Sequence, residues 1–374
     1  MTTGGESRYA RHLVLPEVGP EGQLALQEAS VLVIGAGGLG SPALLYLAAA
    51  GIGRIGLIDD DTVDVTNLQR QILHSTSEVG ESKAASAERR ISDLNPEVTV
   101  EAIEGRLDAT NALEIIGRYD IIIDGTDNFE TRYLIGDACE ILGKPWVFGS
   151  IHRFEGQVAT FNLEGGPNYR DLFPEPPEEG LAPNCAEAGV LGVLPGIVGS
   201  IQATEAIKAI LGIGDSLNGK LLVIDALSMG FRTLGFSKDE SREAVTELKQ
   251  ESVQSCSSDD GSPSGVMLVI SPVEFVQRRD SGWDVFLLDV RRSEEEAIAT
   301  LSGTDLRIEH NQVPMRMSEI PLDTDIVVYC RSGSRSAAVA RYLVSSGLAK
   351  GEVYNLRGGI HEWSDTVNPN IIKY

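Results

Sequence analysis

The chain of 374 residues is short of paired metal ligands, of long apolar runs and of positive charge. Its four cysteines, Cys139, Cys185, Cys256 and Cys330, form no C-x-x-C pair. Neither a disulfide framework nor a zinc finger is therefore indicated. Its five histidines, at 12, 74, 152, 310 and 361, form no H-x-x-x-H pair. No apolar run reaches the ~18–20 residues of a membrane span, and no basic-then-apolar leader is present. A cytoplasmic protein without a membrane partner is expected. Lys and Arg number 31 against 55 Asp and Glu, a net charge of −24. That balance argues against a nucleic-acid surface, which needs a basic face. What the chain does have is 42% hydrophobic residues, enough for real cores, and a length that suggests two or three domains.

The chain is organised around residues 31–40, Val-Leu-Val-Ile-Gly-Ala-Gly-Gly-Leu-Gly. The four apolar residues, three of them β-branched, predict a buried strand. Gly35, Gly37 and Gly40 fit G-x-G-x-x-G, and residues 41–50 predict a helix with Pro42 in its first turn. In this setting glycine lets a phosphate approach the backbone, and the helix N-terminus attracts it. Residues 54–58 predict a second strand ending at Asp59, where an acid accepts hydrogen bonds from a ribose. The plainer reading is a glycine turn with no ligand. The motif alone does not separate NAD from ATP.

Residues 60–71 are long for a βα loop, which usually runs ~2–6 residues, and long loops at the carboxyl end of a parallel sheet carry ligands. Asn67 and Arg70 in this loop, with Lys83 at the start of a helix over 82–95, return amide and cationic groups to the glycine turn. A nicotinamide cofactor has little need of two cations there, whereas a triphosphate has a strong need. Ordinary surface Arg and Lys is the alternative. Residues 120–124 predict a buried strand ending in Gly125-Thr126-Asp127-Asn128. Asp127 there is either a Mg²⁺ ligand or the cap of the helix starting near Phe129. Cys139, in an apolar helix over 131–142, reads as core. Further strands at 97–104, 146–150, 157–162 and 221–224, with helices at 111–117 and 196–211, predict an α/β fold with a mostly parallel sheet. Residues 164–189 are proline-rich and patternless, as in a lid or crossover, and hold Cys185 without an evident packing reason. Arg8, Arg11 and His12 read on charge alone as a solvated face.

Residues 237–264, rich in Ser, Asp, Glu and Lys, read as a linker, and Cys256 falls in it. A second α/β domain follows, with strands at 285–289 and 326–329. The loop Cys330-Arg331-Ser332-Gly333-Ser334-Arg335-Ser336 then leads to a helix over 337–343. Backbone N–H groups, the helix dipole, Arg331 and Arg335 would stabilise a thiolate there, or hold an anion or a cysteine persulfide. A buried structural cysteine is the alternative.

These motifs are specific in combination: Arg8-Tyr9-x-Arg11-His12, the 35–40 turn, Asp59-x-Asp61, Asn67-Leu68-Gln69-Arg70-Gln71, Lys83, Asp124-Gly125-Thr126-Asp127-Asn128, Cys185-Ala186-Glu187, the Cys330 loop and Leu356-Arg357-Gly358-Gly359-Ile360. The first part of the chain resembles the ubiquitin-activating-type adenylyltransferases that act on sulfur-carrier proteins, and the last part resembles a rhodanese domain. The order matches the bacterial molybdopterin-synthase adenylyltransferase/sulfurtransferases. The resemblance implies a Rossmann-like adenylation domain at 1–236, a linker at 237–264 and an α/β rhodanese domain at 265–374. It implies that ATP is bound by Gly35, Gly37, Gly38, Gly40, Asp59, Asp61, Thr66, Asn67, Leu68, Gln69, Arg70, Lys83, Asp127 and Asn128. Gly38 would lie against the phosphates, Asp59 on the ribose, Asn67, Arg70 and Lys83 on the triphosphate, and Asp127 on Mg²⁺. Arg11 would reach into the partner subunit's site, which implies a homodimer.

The implied substrate is the C-terminal Gly-Gly carboxylate of a small ubiquitin-like sulfur carrier. Cys330 would take sulfur from a desulfurase or thiosulfate as a persulfide, in a loop completed by Arg331, Ser332, Gly333, Ser334 and Arg335. Cys185 would resolve an acyl disulfide or form a thioester. The pathway served, whether molybdopterin, thiamin, cysteine or tRNA thiolation, is left open. Two stretches depart from the pattern. Many relatives hold zinc with two C-x-x-C pairs, but the first falls here on Pro167-Asn168-Tyr169-Arg170-Asp171, so no structural zinc is expected. In the rhodanese part Asp289-Val290-Arg291 fits, yet residues 294–311 lack the expected His-x-x-Gly-Ala. Two rivals are an NAD-dependent oxidoreductase, which leaves Arg70, Lys83, Asp127 and the Cys330 loop unexplained, and a non-catalytic scaffold that docks a carrier.

Overall fold

Two helices, α1 (Ala10–Leu13) and α2 (Gly19–Glu28), lead into β1 (Ser30–Ile34), which is buried along its whole length. Its side chains alternate between two cores: Val31 and Val33 join one, Leu32 and Ile34 the other. A strand covered on both faces reads as an unbroken apolar run for this reason. The structure, a computed structural model, describes residues 8–176, 189–248 and 267–374. They fall into two units.

In the first unit the chain continues through α3 (Gly40–Ala50), β2 (Arg54–Asp59), α4 (Lys83–Leu94), β3 (Thr99–Glu104), α5 (Ala112–Gly117), β4 (Ile121–Asp124) and α6 (Phe129–Leu142). Then come β5 (Trp146–His152), β6 (Glu155–Phe161), α7 (Tyr169–Leu172), α8 (Leu194–Leu211), β7 (Lys220–Asp225) and β8 (Gly230–Gly235). The sheet order is β3-β2-β1-β4-β5-β6-β7-β8. From β3 to β5 the neighbours are parallel; from β5 to β8 they are antiparallel. The sheet is mostly parallel, as expected, and its parallel part carries the glycine turn. Strand β8 escapes sequence reading because it is exposed and lacks a buried alternation. Helices α3, α4 and α8 cover one face, and α5 and α6 the other, with Cys139 in that second core.

Helix α1 is a single turn, and its neighbourhood is not simply solvated. Arg8 donates to the Leu94 carbonyl at 2.9 Å, and His12 Nδ1 lies 2.9 Å from Gln23 Oε1. The Tyr9 ring sits where a Cβ at Gly51 would be, and its hydroxyl accepts from Asn95 and donates to Glu97. These contacts hold α1 at the C-terminal end of α3. The described part of the proposed linker, 237–248, also carries contacts. Arg242 pairs with Glu140 (2.8 Å) and with the fully buried Asp171 (3.1 Å). Asn168 and Asp171 cap α7 reciprocally, so two positions of the missing cysteine pair are occupied by a hydrogen-bonded box.

The second unit runs β9 (Leu268–Ile270), α9 (Pro272–Asp280), β10 (Val285–Asp289), α10 (Ser293–Ile298), β11 (Leu306–Arg307), β12 (Asp325–Tyr329), α11 (Ser334–Ser345), β13 (Val353–Leu356) and α12 (Gly359–Thr366). Its sheet, β11-β10-β12-β13-β9, is parallel throughout. The irregular stretch 294–311 supplies the edge strand β11 and two acids, Glu295 and Glu309, that pair with Arg335 and Arg292.

Candidate active sites

In the first unit the strand order turns around at β1, with β2 on one side and β4 on the other. Ligands bind outside the carboxyl ends of the strands at such a switch point. Here the ends of β1 and β4 come together so closely that only glycine fits. Gly35 has φ +95°, and a Cβ on Gly125 or Gly40 would overlap the Gly35 carbonyl. The Gly35 N–H donates to Ile58 O (2.8 Å) and the Gly125 N–H to Ile34 O (2.7 Å), locking both turns to the sheet.

Asp59 closes one wall. Its Oδ2 accepts the Ala36 N–H at 2.7 Å and its Oδ1 the Asp61 N–H at 2.9 Å. Burial raises its pKa, and the nearby Lys83 ammonium opposes that rise. Lys83 itself is buried at the first position of α4, with Nζ 2.7 Å from the exposed Asp61 carboxylate. The loop after β2 folds over the turn. Asp64 accepts the Thr66 N–H and hydroxyl, ordering the short turn Val65–Asn67. Asn67 Oδ1 accepts from Arg70 Nη2 at 2.9 Å. The Arg70 stem lies alongside Gly38, and Gln71 alongside Gly37. Gln69 packs where a Cβ of Gly192 would be, and Leu68 is half-buried.

The loop 125–128 makes the opposite wall. Asp127 is exposed at its tip. The helix cap is Asn128, whose Oδ1 accepts the Thr131 N–H at 2.8 Å, so Asp127 is not the cap. Three residues outside the sequence-derived set shape this crevice. Arg132 lies 3.4 Å from the buried Asp124 and donates to the Thr126 carbonyl at 2.9 Å. Burial pushes the Asp124 carboxyl up, and Arg132 opposes it. Gln202 of α8 donates to the Asp124 carbonyl at 2.7 Å. His74 reaches the Ala36 carbonyl at 2.9 Å. None lies next to its partner in sequence, so local spacing offered no signal.

The structure thus brings together Gly35–Gly40, Asp59, Asp61, residues 66–70, Lys83 and residues 125–128. Arg11 does not join them: it is exposed on α1, and α3, at 1.5 Å per residue, puts the turn roughly 16 Å from α1's seat. Cys185 lies outside the described residues.

In the second unit Cys330 directly follows β12 and is buried. Its sulfur accepts from the Gly333 N–H at 3.1 Å and the Ser336 hydroxyl at 3.4 Å. Gly333 (φ +96°) makes the turn that aims this N–H. Gly359 lies so close to the Cys330 carbonyl that no side chain would fit, and the Ile360 and His361 N–H groups cap the Cys330 and Arg331 carbonyls at 3.0 and 3.1 Å. Arg335 makes a buried two-bond pair with Glu295 (2.6 and 2.7 Å). The donors that face Sγ are thus a backbone N–H and the Ser336 hydroxyl. Ser332 and Ser334 are exposed and Arg331 half-buried.

Two such sites on one chain define a class, an adenylyltransferase that carries its own sulfurtransferase. The chain belongs to the ThiF family, whose model matches residues 9–245, and the model of the rhodanese-like domain matches residues 271–366. The probable adenylyltransferase/sulfurtransferase MoeZ of Mycobacterium tuberculosis is 45% identical over 375 residues, 98% of this chain and 95% of that protein. The sulfur carrier protein adenylyltransferase of Thermus thermophilus is 57% identical over 232 residues, 61% of this chain and 86% of that protein. Among solved structures E. coli MccB shares the fold, with a TM-score of 0.58 and 21% identity over 64% of this chain and 75% of that one. The oxidoreductase and scaffold readings are thereby set aside. Among the described residues no helix is long and apolar enough to cross a membrane.

Proposed function

We propose that the first unit binds ATP in the crevice between the 35–40 turn and the 125–128 loop and uses it to activate the C-terminal Gly-Gly carboxylate of a small ubiquitin-like sulfur carrier. The observation that carries this reading is the convergence of Lys83, Arg70 and the glycine turn at the switch point, with Asp59 in place for a ribose. A carboxylate oxygen of the carrier attacks the α-phosphorus, the bond to the β-phosphate oxygen breaks, and pyrophosphate leaves. The product is an acyl-adenylate. Little covalent help is needed; the residues position the two anions and neutralise their charge. Asp127, exposed at the mouth, offers one carboxylate, and Mg²⁺ is ordinarily held by one or two carboxylates together with phosphates. When bound, the ion would offset charge on the leaving pyrophosphate.

Cys330 then serves as sulfur carrier within the chain, loaded from a desulfurase or thiosulfate. The terminal sulfur of its persulfide attacks the acyl carbon and AMP leaves. Cys185 attacks the Cys330 sulfur of the resulting acyl disulfide, which releases the thiocarboxylate and leaves a Cys185–Cys330 disulfide for a cellular thiol to reduce. Thioester formation on Cys185 is the competing order. A homodimer fits Arg11, which is too far from its own crevice to act there but stands beside an open apolar groove of 330 Å³ lined by His12, Tyr46 and Thr204.

The deciding experiment incubates candidate carriers with the protein, ATP and thiosulfate and weighs them. A gain of one sulfur for one oxygen supports the reading. Absence of carrier-dependent ATP–pyrophosphate exchange with every carrier overturns it.

A further inference from the structure

His74 has no part in the reaction as written, yet it touches the nucleotide turn. It is buried behind the loop 62–73, with Nε2 2.9 Å from the Ala36 carbonyl and Nδ1 2.8 Å from the Ser86 hydroxyl of α4. A carbonyl only accepts, so Nε2 carries the proton, and Nδ1 accepts from Ser86. The same residue gives its N–H, which lies on the preceding peptide, to Asp59. The two peptides flanking Ala36 at the mouth of the turn are thus each held, one by Asp59 and one by His74, and residues 37–40 lead from them into α3. The charged groups facing the ring are Lys83, Glu78 and Asp59. Burial foremost, helped by Lys83, holds it neutral against the pull of the Ala36 carbonyl and the two acids.

We propose that His74 is a positioning residue for adenylation: it fixes the Ala36 carbonyl so that the following amides keep the shape that receives a nucleotide triphosphate. The proposal rests on the ATP-binding reading above. It requires that loss of the Nε2 donor weaken triphosphate binding while leaving nucleoside binding, which depends on Asp59, intact.

Calorimetry on the full chain with Mg·ATP and with adenosine tests it, with thermal melts as a check of folding. A glutamine amide reaches the Nε2 position and an asparagine amide only the Nδ1 position. His74→Asn is expected to weaken Mg·ATP roughly tenfold, the usual effect of orphaning one buried acceptor, with adenosine unchanged. His74→Gln is expected to restore most of the loss. Should His74→Asn not fold, Ser86→Ala, which frees the ring to swing, takes its place with the same ATP-selective loss. Equal losses for ATP and adenosine, no loss in the asparagine variant, or a glutamine variant no better than it overturns the proposal. If the unaltered chain binds no Mg·ATP, the adenylation reading fails and this one with it. If that chain binds and the variants match it, this inference alone fails.

Discussion

Lys83 is a buried cation whose only ion-pair partner among the described residues, Asp61, is itself two-thirds exposed. Removing the ammonium leaves Asp61 to solvent, and Asp59, which loses a nearby positive charge, keeps its two backbone N–H donors from Ala36 and Asp61. Lys83→Ala should leave the melting temperature nearly unchanged yet cut carrier-dependent ATP–pyrophosphate exchange by about 10²-fold, the usual effect of losing one preorganised charge donor. Glu295 behaves differently. Burial works against its ionised form, but the Arg335 hydrogen bonds and the Arg292 N–H together carry its carboxyl below the ordinary Glu range. Its folded pKa is lower than its unfolded one. Its contribution to stability is therefore present above the unfolded value, about 4.3, and is lost as pH falls below it. In urea titrations between pH 6 and 3, Glu295→Gln should lose less stability than the parent over that window.

Elements are held here by pairs distant in sequence. Arg242 bridges Glu140 of α6 and Asp171 of α7, and the Asp171 side chain has no exposed surface. Arg242→Ala would leave that carboxylate with the Asn168 and Asp239 N–H donors but no counter-charge, at a cost of about 1–3 kcal/mol. Limited proteolysis should then cut within 237–248 sooner than in the parent; an unchanged pattern would show the clasp to be idle. At the glycine turn, a methyl group at Gly40 would overlap the Gly35 carbonyl. Gly40→Ala should cost on the order of 1–3 kcal/mol of stability and lower ATP affinity with it. The strand–turn–helix unit was legible in the sequence because its requirements are local: apolar run, glycines and helix start lie within twenty residues. The clasp was not. Arg242 lies 71 residues from Asp171, and the composition around it reads as linker.

For the whole molecule, two sites on two units imply two separable activities. Cys330→Ala should retain carrier-dependent ATP–pyrophosphate exchange and lose thiocarboxylate formation from thiosulfate, while Lys83→Ala should do the reverse for exchange. Normal thiocarboxylate from the Cys330 variant without added sulfide would remove the second unit from the pathway.

The two α/β units, the nucleotide turn with Asp59, and the Cys330 loop before a helix were determined by the sequence alone. In each, the residues that carry chemistry also satisfy backbone demands within a few positions of one another. Tertiary structure alone decided that Arg335 pairs with Glu295, that strands β5 to β8 of the larger sheet run antiparallel, and that His74, Arg132 and Gln202 brace the crevice. For His74, Arg335 and Gln202 the outcome depends on which buried polar group finds a partner 38, 40 or 78 residues away. That choice is made by packing in three dimensions, where burial makes an unmatched charge or carbonyl too costly to leave.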